Sequence, residues 1–147
     1  MSTPCIYIAT VGTGTAGTES FVAAGILFGI RQAAPDAVYL VPSASPESLE
    51  VADYIASETA VTPFAETRVY FTLSNWDDVN HCRREFRELL AQLRVRHPDA
   101  ALVINPTSGT KQMTTAAYVA GVQEGVSRIE YVTGERRNGV VRTGTER

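Results

Sequence analysis

At 147 residues, with 44% hydrophobic and 20% charged content, the chain has the size of one ordinary globular domain that can bury a core without staples. A formal net charge of −3 excludes a general attraction to nucleic-acid polymers. Any anion bound here is held by local dipoles and a few aimed cations. Two cysteines, Cys5 and Cys82, are too few for a disulfide framework and read as core thiols in a reducing compartment. The start, MSTPCIYIAT, lacks the regions of a signal peptide, and FVAAGILFGI is too short to span a bilayer. A cytoplasmic protein with no membrane partner is therefore expected.

Strand-like runs alternate with helical patterns, which predicts an α/β domain with a mainly parallel sheet. The first strand is CIYIAT, Cys5 to Thr10, continuously apolar as a strand covered on both faces should be. A helix is expected from about Thr18 to Ala33, stopped by APDA, and then a second strand, Ala37 to Val41. The polar loop PSASPES leads to a helix over about Glu47 to Ser57, and a third strand covers Thr67 to Leu73. SNWDD opens the longest helix, running to about His97, with Val79, Cys82, Phe86, Leu89, Leu90 and Leu93 at the helical period. The fourth strand is ALVIN, and a helix follows from near Thr110 to near Gly125. Strand five is expected over Arg128 to Thr133. Asn138-Gly139 then signals a tight turn, with a short sixth strand, about Val140 to Thr143, returning antiparallel. The chain halts at TGTER just past that hairpin, which suggests that a further domain has been removed.

Two loops carry the chemistry. TVGTGTAG follows strand one and NPTSGTKQM follows strand four. In the usual doubly wound order these strands are central neighbours whose connections leave toward opposite faces, so both loops empty into one crevice at the topological switch point. Gly12, Gly14 and Gly109 let backbone amides approach an anion. The helix starting near Thr110 aims its positive end there, Thr10, Thr13, Thr15, Thr107, Ser108 and Thr110 add hydroxyls, and Lys111 adds a mobile charge. The plainer alternatives are helix caps and tight turns. Gly12-x-Gly14-x-x-Gly17 matches the dinucleotide fingerprint, but strand two ends in Pro42 and Ser43 where that site needs an acid. NPTSGTK also fails the P-loop spacing, so a nicotinamide-dependent oxidoreductase remains only as a competing class.

ATVGTGT and NPTSGTKQM together resemble the CRISPR-associated Rossmann-fold (CARF) sensor domains of type III CRISPR systems. The strand-four motif there is close to Asn-x-Thr-Gly-Gly-Thr-Lys-x-Met. This chain keeps Asn105, Thr107, Gly109, Thr110, Lys111 and Met113, and departs at Ser108. The resemblance implies a Rossmann-like three-layer domain with a C-terminal antiparallel hairpin. It also implies a homodimer binding a cyclic oligoadenylate, expected to be cyclic tetra-adenylate, across its two-fold axis. The implied ligand-binding residues are Thr10, Val11, Gly12, Thr13, Gly14, Thr15, Asn105, Thr107, Ser108, Gly109, Thr110, Lys111 and Met113. No cofactor, metal or direct DNA contact is implied, and an effector domain would be attached elsewhere. Some members cleave the ring themselves, by attack of a ribose 2′-hydroxyl on the neighbouring phosphate. Lys111 and Ser108 would then be the catalytic residues, with Thr110 as a further donor.

Trp76 is a candidate to stack on an adenine, with Asn75 at its edge; alternatively Trp76 staples the helix entry while Asn75 or Asp77 caps it. Asp77, Asp78 and His81 share one helix turn and read as capping rather than metal ligands. His97 reads as a helix C-terminal residue. Arg136 and Arg137 fall at a hairpin tip, solvated or gating an anion. Tyr118 and Tyr131 read as core or dimer-interface residues.

Overall fold

The computed structural model describes residues 3–12, 19–59, 66–69, 77–132, 136–137 and 140–141. The elements are β1 (Cys5–Val11), α1 (Glu19–Ala33), β2 (Ala37–Pro42), α2 (Pro46–Thr59), β3 (Glu66–Val69), α3 (Val79–Arg96), β4 (Ala101–Asn105), α4 (Lys111–Glu124) and β5 (Arg128–Ile129). Two further short strands are β6 (Arg136–Arg137) and β7 (Val140–Val141). The central sheet has the order β3-β2-β1-β4-β5, and all its pairings are parallel. This is the α/β, Rossmann-like layering that the alternating pattern predicts.

Period-two alternation splits the apolar strands between two cores. Ile6 and Ile8 of β1, Tyr39 and Val41 of β2, and Leu102 and Ile104 of β4 pack with α3 and α4. Tyr7, Ala9 and Val11, with Val38, Leu40 and Val103, pack with α1 and α2 on the other face. The buried side of α4 is built of small residues, Ala116, Ala117, Ala120 and Gly121, with Met113 at its start. A Cβ at Gly121 would come within 2.9 Å of Ile104 Cδ1, so glycine there lets the helix settle close onto β4.

Several expectations need correction. The N-cap of α3 is Asp78, whose Oδ1 accepts from His81 N at 3.0 Å, so the cap expected at Asp77 falls one residue later. Val79 is 37% exposed and leaves the apolar stripe, which is carried by Cys82, Phe86, Leu89, Leu90 and Leu93. His97 does more than end the helix, because its Nε2 is 2.8 Å from the buried Tyr39 hydroxyl. Cys5 is only half-buried, whereas Cys82 is fully buried. Tyr118 and Tyr131 are about half exposed, so the core reading fails for both.

β5 is two residues long, and 130–132 are not strand. No sixth strand returns against it among the described residues. Instead β7 pairs antiparallel with β6 as a ribbon separate from the central sheet. Of the expected third strand, residues 70–73 lie outside the described residues.

Candidate functional site

β1 outruns β4. Ala9 pairs with Asn105, the last residue of β4, and Thr10 and Val11 pair only with β2. The chain then leaves β1 toward α1 on one face and leaves β4 toward α4 on the other, which is the switch-point geometry. The two loops touch directly. Gly12 N donates to Ser108 Oγ at 2.8 Å, and a Cβ on Gly12 would lie 2.5 Å from Gly109 Cα and 2.6 Å from Gly109 N. Only a residue without a side chain permits that approach. Gly109 has φ +128, a region that side chains rarely adopt.

Beneath this contact lies a buried polar bracket. Asn105, 1% exposed, accepts at Oδ1 from Thr107 N at 3.1 Å and from Thr107 Oγ1 at 2.5 Å, bending the chain as an Asx turn. The Thr107 N–H fixes the amide orientation, so Nδ2 faces Tyr7 and donates to its hydroxyl at 2.8 Å. Thr107 Oγ1 also accepts from Val132 N at 2.9 Å, which ties the loop to the chain after β5. Thr10 Oγ1 donates to Asn105 O at 3.5 Å. On the β2 side, Ser48 Oγ donates to Val11 O at 2.7 Å and accepts from Ser43 N at 2.9 Å. Burial drives the Tyr7 phenol far above its ordinary pKa and keeps it neutral.

The expected ligand residues thus divide by depth. Thr10, Val11, Gly12, Asn105 and Met113 are buried. Thr10 and Asn105 bond each other, while the main chain of Val11, Gly12 and Met113 bonds the hydroxyls of Ser48, Ser108 and Thr110, so all five help to hold the loops. Met113 lies under Gly109, with Cε 3.2 Å from where a Gly109 Cβ would sit. Thr107 is half-buried, with its hydroxyl committed on both sides. Ser108 and Thr110 are half-buried, and Gly109 and Lys111 are exposed. Ser108 Oγ accepts from Gly12, so its own proton remains to be donated outward. Thr110 caps α4 by accepting from Met113 N at 3.2 Å. No described residue accepts from the backbone N–H of Lys111 or Gln112, the orphan donors of the first helical turn. These N–H groups, one hydroxyl proton, one ammonium and the positive helix end suit an anionic oxygen. Thr13, Gly14, Thr15, Asn75 and Trp76 lie outside the described residues.

Sequence reasoning missed Tyr7, Ser48 and Val132. A tyrosine inside a continuously apolar strand was the available signal, because a buried phenol calls for a partner.

No family model matches the chain, and no curated protein does. Solved structures do. Csm6 from Enterococcus italicus, bound to cyclic hexa-2′-fluoro-hexa-dAMP, superposes over 98% of this chain with a TM-score of 0.70 at 18% identity. Can2 from Sulfobacillus thermosulfidooxidans, in complex with cyclic tetra-adenylate, matches 88% of the chain with a TM-score of 0.61 at 18% identity. A type III CRISPR defence DNA nuclease activated by cyclic oligoadenylate matches 92% with a TM-score of 0.61 at 20% identity. The chain has the CARF fold. It spans 36%, 32% and 19% of those three proteins' own lengths. In this chain the motif residues Asn105 to Met113 run from the end of β4 into the first turn of α4, with Ser108 and Gly109 packed on Gly12 of the opposite loop. No helix among the described residues is long and apolar enough to cross a membrane.

Proposed function

We propose that this CARF domain binds a cyclic oligoadenylate as the sensor of a type III CRISPR response, two copies gripping one ring across a two-fold axis. The observation that carries the reading is the backbone contact of Gly12 with Gly109. It brings the two loops to one surface at the start of α4, beside Lys111 and the Ser108 hydroxyl. A phosphodiester oxygen fits the donors left open there, and a ring with two-fold symmetry meets each of them twice in a dimer. Tyr118, 45% exposed, and Val122, 59% exposed, lie on the helix that starts at the site, and the reading assigns this apolar stripe to the second copy. The domain passes its signal to an effector, fused or separate.

Calorimetry with cyclic tri-, tetra- and hexa-adenylate, combined with light scattering and chromatography of the nucleotide, tests the proposal. Tight binding of the tetra-adenylate at one ring per two chains, with the ring recovered intact, is expected. Linear products ending in a 2′,3′-cyclic phosphate would instead make the domain a ring nuclease working through Lys111 and Ser108. No binding of any ring, or a monomer with a ring bound, would overturn the proposal.

A further inference from the structure

A cavity of about 440 Å³ opens on the α1 face of the sheet, behind the β4–α4 loop. Among the described residues it is lined by Tyr7, Phe28, Gly29, Gln32, Glu130, Tyr131 and Val132. α1 and α2 pack on this face, β7 lies against α1, and none of the described residues after β5 is helical. The cavity lies between α1 and residues 130–132.

The floor of the cavity holds an unmet hydrogen-bond donor. Tyr7 is 0% exposed. Its oxygen accepts from Asn105 Nδ2, and that amide cannot turn round, because Oδ1 is held by Thr107 N and Oγ1. The phenol proton therefore needs an acceptor elsewhere, and no described residue supplies one. The hydroxyl end of Tyr7 meets Gly29 and the Val132 methyl at one point, where a Cβ on Gly29 would strike both, and all three residues line the cavity. A buried donor left alone costs roughly 1–3 kcal/mol, so an occupant with an acceptor is favoured.

The other groups narrow the occupant. Phe28 and Tyr131 are aromatic walls for a flat ring. Glu130, held through Oε1 by Arg128 Nε at 2.7 Å, retains a second carboxylate oxygen to accept from an N–H, and its charge disfavours an anion. We infer that the cavity binds a neutral amino-heteroaromatic of nucleoside size, its ring nitrogen accepting from Tyr7 and its amino group donating to Glu130. The site is separate from the anion-binding loop, with Asn105 standing between the two.

Adenosine is the probe, titrated into the full-length chain and followed through backbone amide shifts in NMR. Half-saturation at about 1 mM or below is expected, the range for a small ligand in a partly open pocket, with shifts centred on Gly29 and Val132. Tyr131→Ala, a change at a residue 51% exposed, should weaken adenosine at least about fivefold through lost stacking and leave the melting temperature unchanged. Tyr7→Phe should weaken it about fivefold through the lost donor. 5′-AMP should bind no tighter than adenosine, and saturating cyclic tetra-adenylate should not displace it. Competition between the two, or a marked gain from the 5′-phosphate, would put adenosine at the loop and overturn the inference. So would an absence of shifts at Gly29 and Val132, which would leave solvent as the only occupant.

Discussion

Replacing Gly12 with alanine adds one methyl group at the place where the two loops meet. That methyl would fall 2.5 Å from Gly109 Cα and 2.6 Å from Gly109 N, whereas ordinary contact begins at 3.4 Å. The neighbours are backbone atoms, so no side chain can rotate away, and the loops must part by about 1 Å or strain to match. Parting also stretches the Gly12 N to Ser108 Oγ bond from 2.8 Å toward the limit of hydrogen bonding. Overpacking costs about 1–3 kcal/mol and the bond about 1 kcal/mol, together roughly 2–4 kcal/mol. For a chain of this length that lowers the melting temperature by roughly 5–15 °C. Ser108→Ala removes the bond without the clash and should cost about 1 kcal/mol. Urea denaturation of the three proteins measures these differences, and calorimetry with cyclic tetra-adenylate should show Gly12→Ala binding far more weakly than wild type. If Gly12→Ala melts within about 1 °C of wild type and binds the ring equally well, the loops do not touch and the site as built here is wrong.

Lys111→Ala removes an exposed ammonium that bonds to no described residue. It should weaken cyclic tetra-adenylate roughly tenfold or more, the scale of a charge-assisted bond, and leave denaturation midpoints unchanged. Raising the salt should narrow the gap between the two proteins. Asp78→Ala should destabilise α3 by freeing His81 N. That bond holds the Asp78 carboxyl below its ordinary pKa of 3.8, so wild type keeps its advantage above that pH and loses it as pH falls through the lowered value. Thermal melts between pH 2 and 7 would show this, and a gap independent of pH would refute it. Burial pushes the Cys82 thiol up to about 11 from 9.0. The unfolded thiol ionises first, so stability should fall as pH climbs through 9 and level off above 11. Cys82→Ala should show a shallower alkaline decline; an identical slope would place the titration elsewhere.

Much of the frame was legible because it rests on local pattern. Continuously apolar Cys5 to Thr10 and ALVIN read as strands covered on both faces, and the order with β1 beside β4 comes from the usual doubly wound topology, which the sheet has. Thr110 announced a helix cap and serves as one. Which loop residues face outward was harder. Asn105 and Met113 look like ligand groups when read along the motif, yet Met113 shares the spacing of Ala116, Ala117 and Ala120, the buried stripe of α4. The motif suggested chemistry while the helical period placed that side chain inside. Gly12 was singled out for an anion's approach, and what comes close to it is the backbone of Gly109. A contact between residues so distant in sequence leaves no local signature. The tail misled for a related reason: Asn138-Gly139 marks a turn but cannot say which strand the returning segment will meet.

The burial of so much polar chemistry under the loop is what makes the remaining donors useful. Tyr7, Thr10, Asn105, Thr107 and Ser48 direct their described bonds at one another or at main chain, so the β4–α4 turn is held in one shape before any ligand arrives. The Ser108 proton and the first N–H groups of α4 are then presented without a reorganisation cost, whereas the exposed Lys111 side chain must be ordered. They are few. A cyclic tetra-adenylate carries four phosphodiester charges, and on the proposed reading one chain with a net charge of −3 would aim a single ammonium from this loop at it. Two chains double the ammoniums and the helix ends, and still leave two of the four charges to donors without a full charge. Affinity built this way should therefore depend only weakly on salt, with a slope near that of two released counterions rather than four. A steeper dependence would mean that cations beyond Lys111 hold the ring.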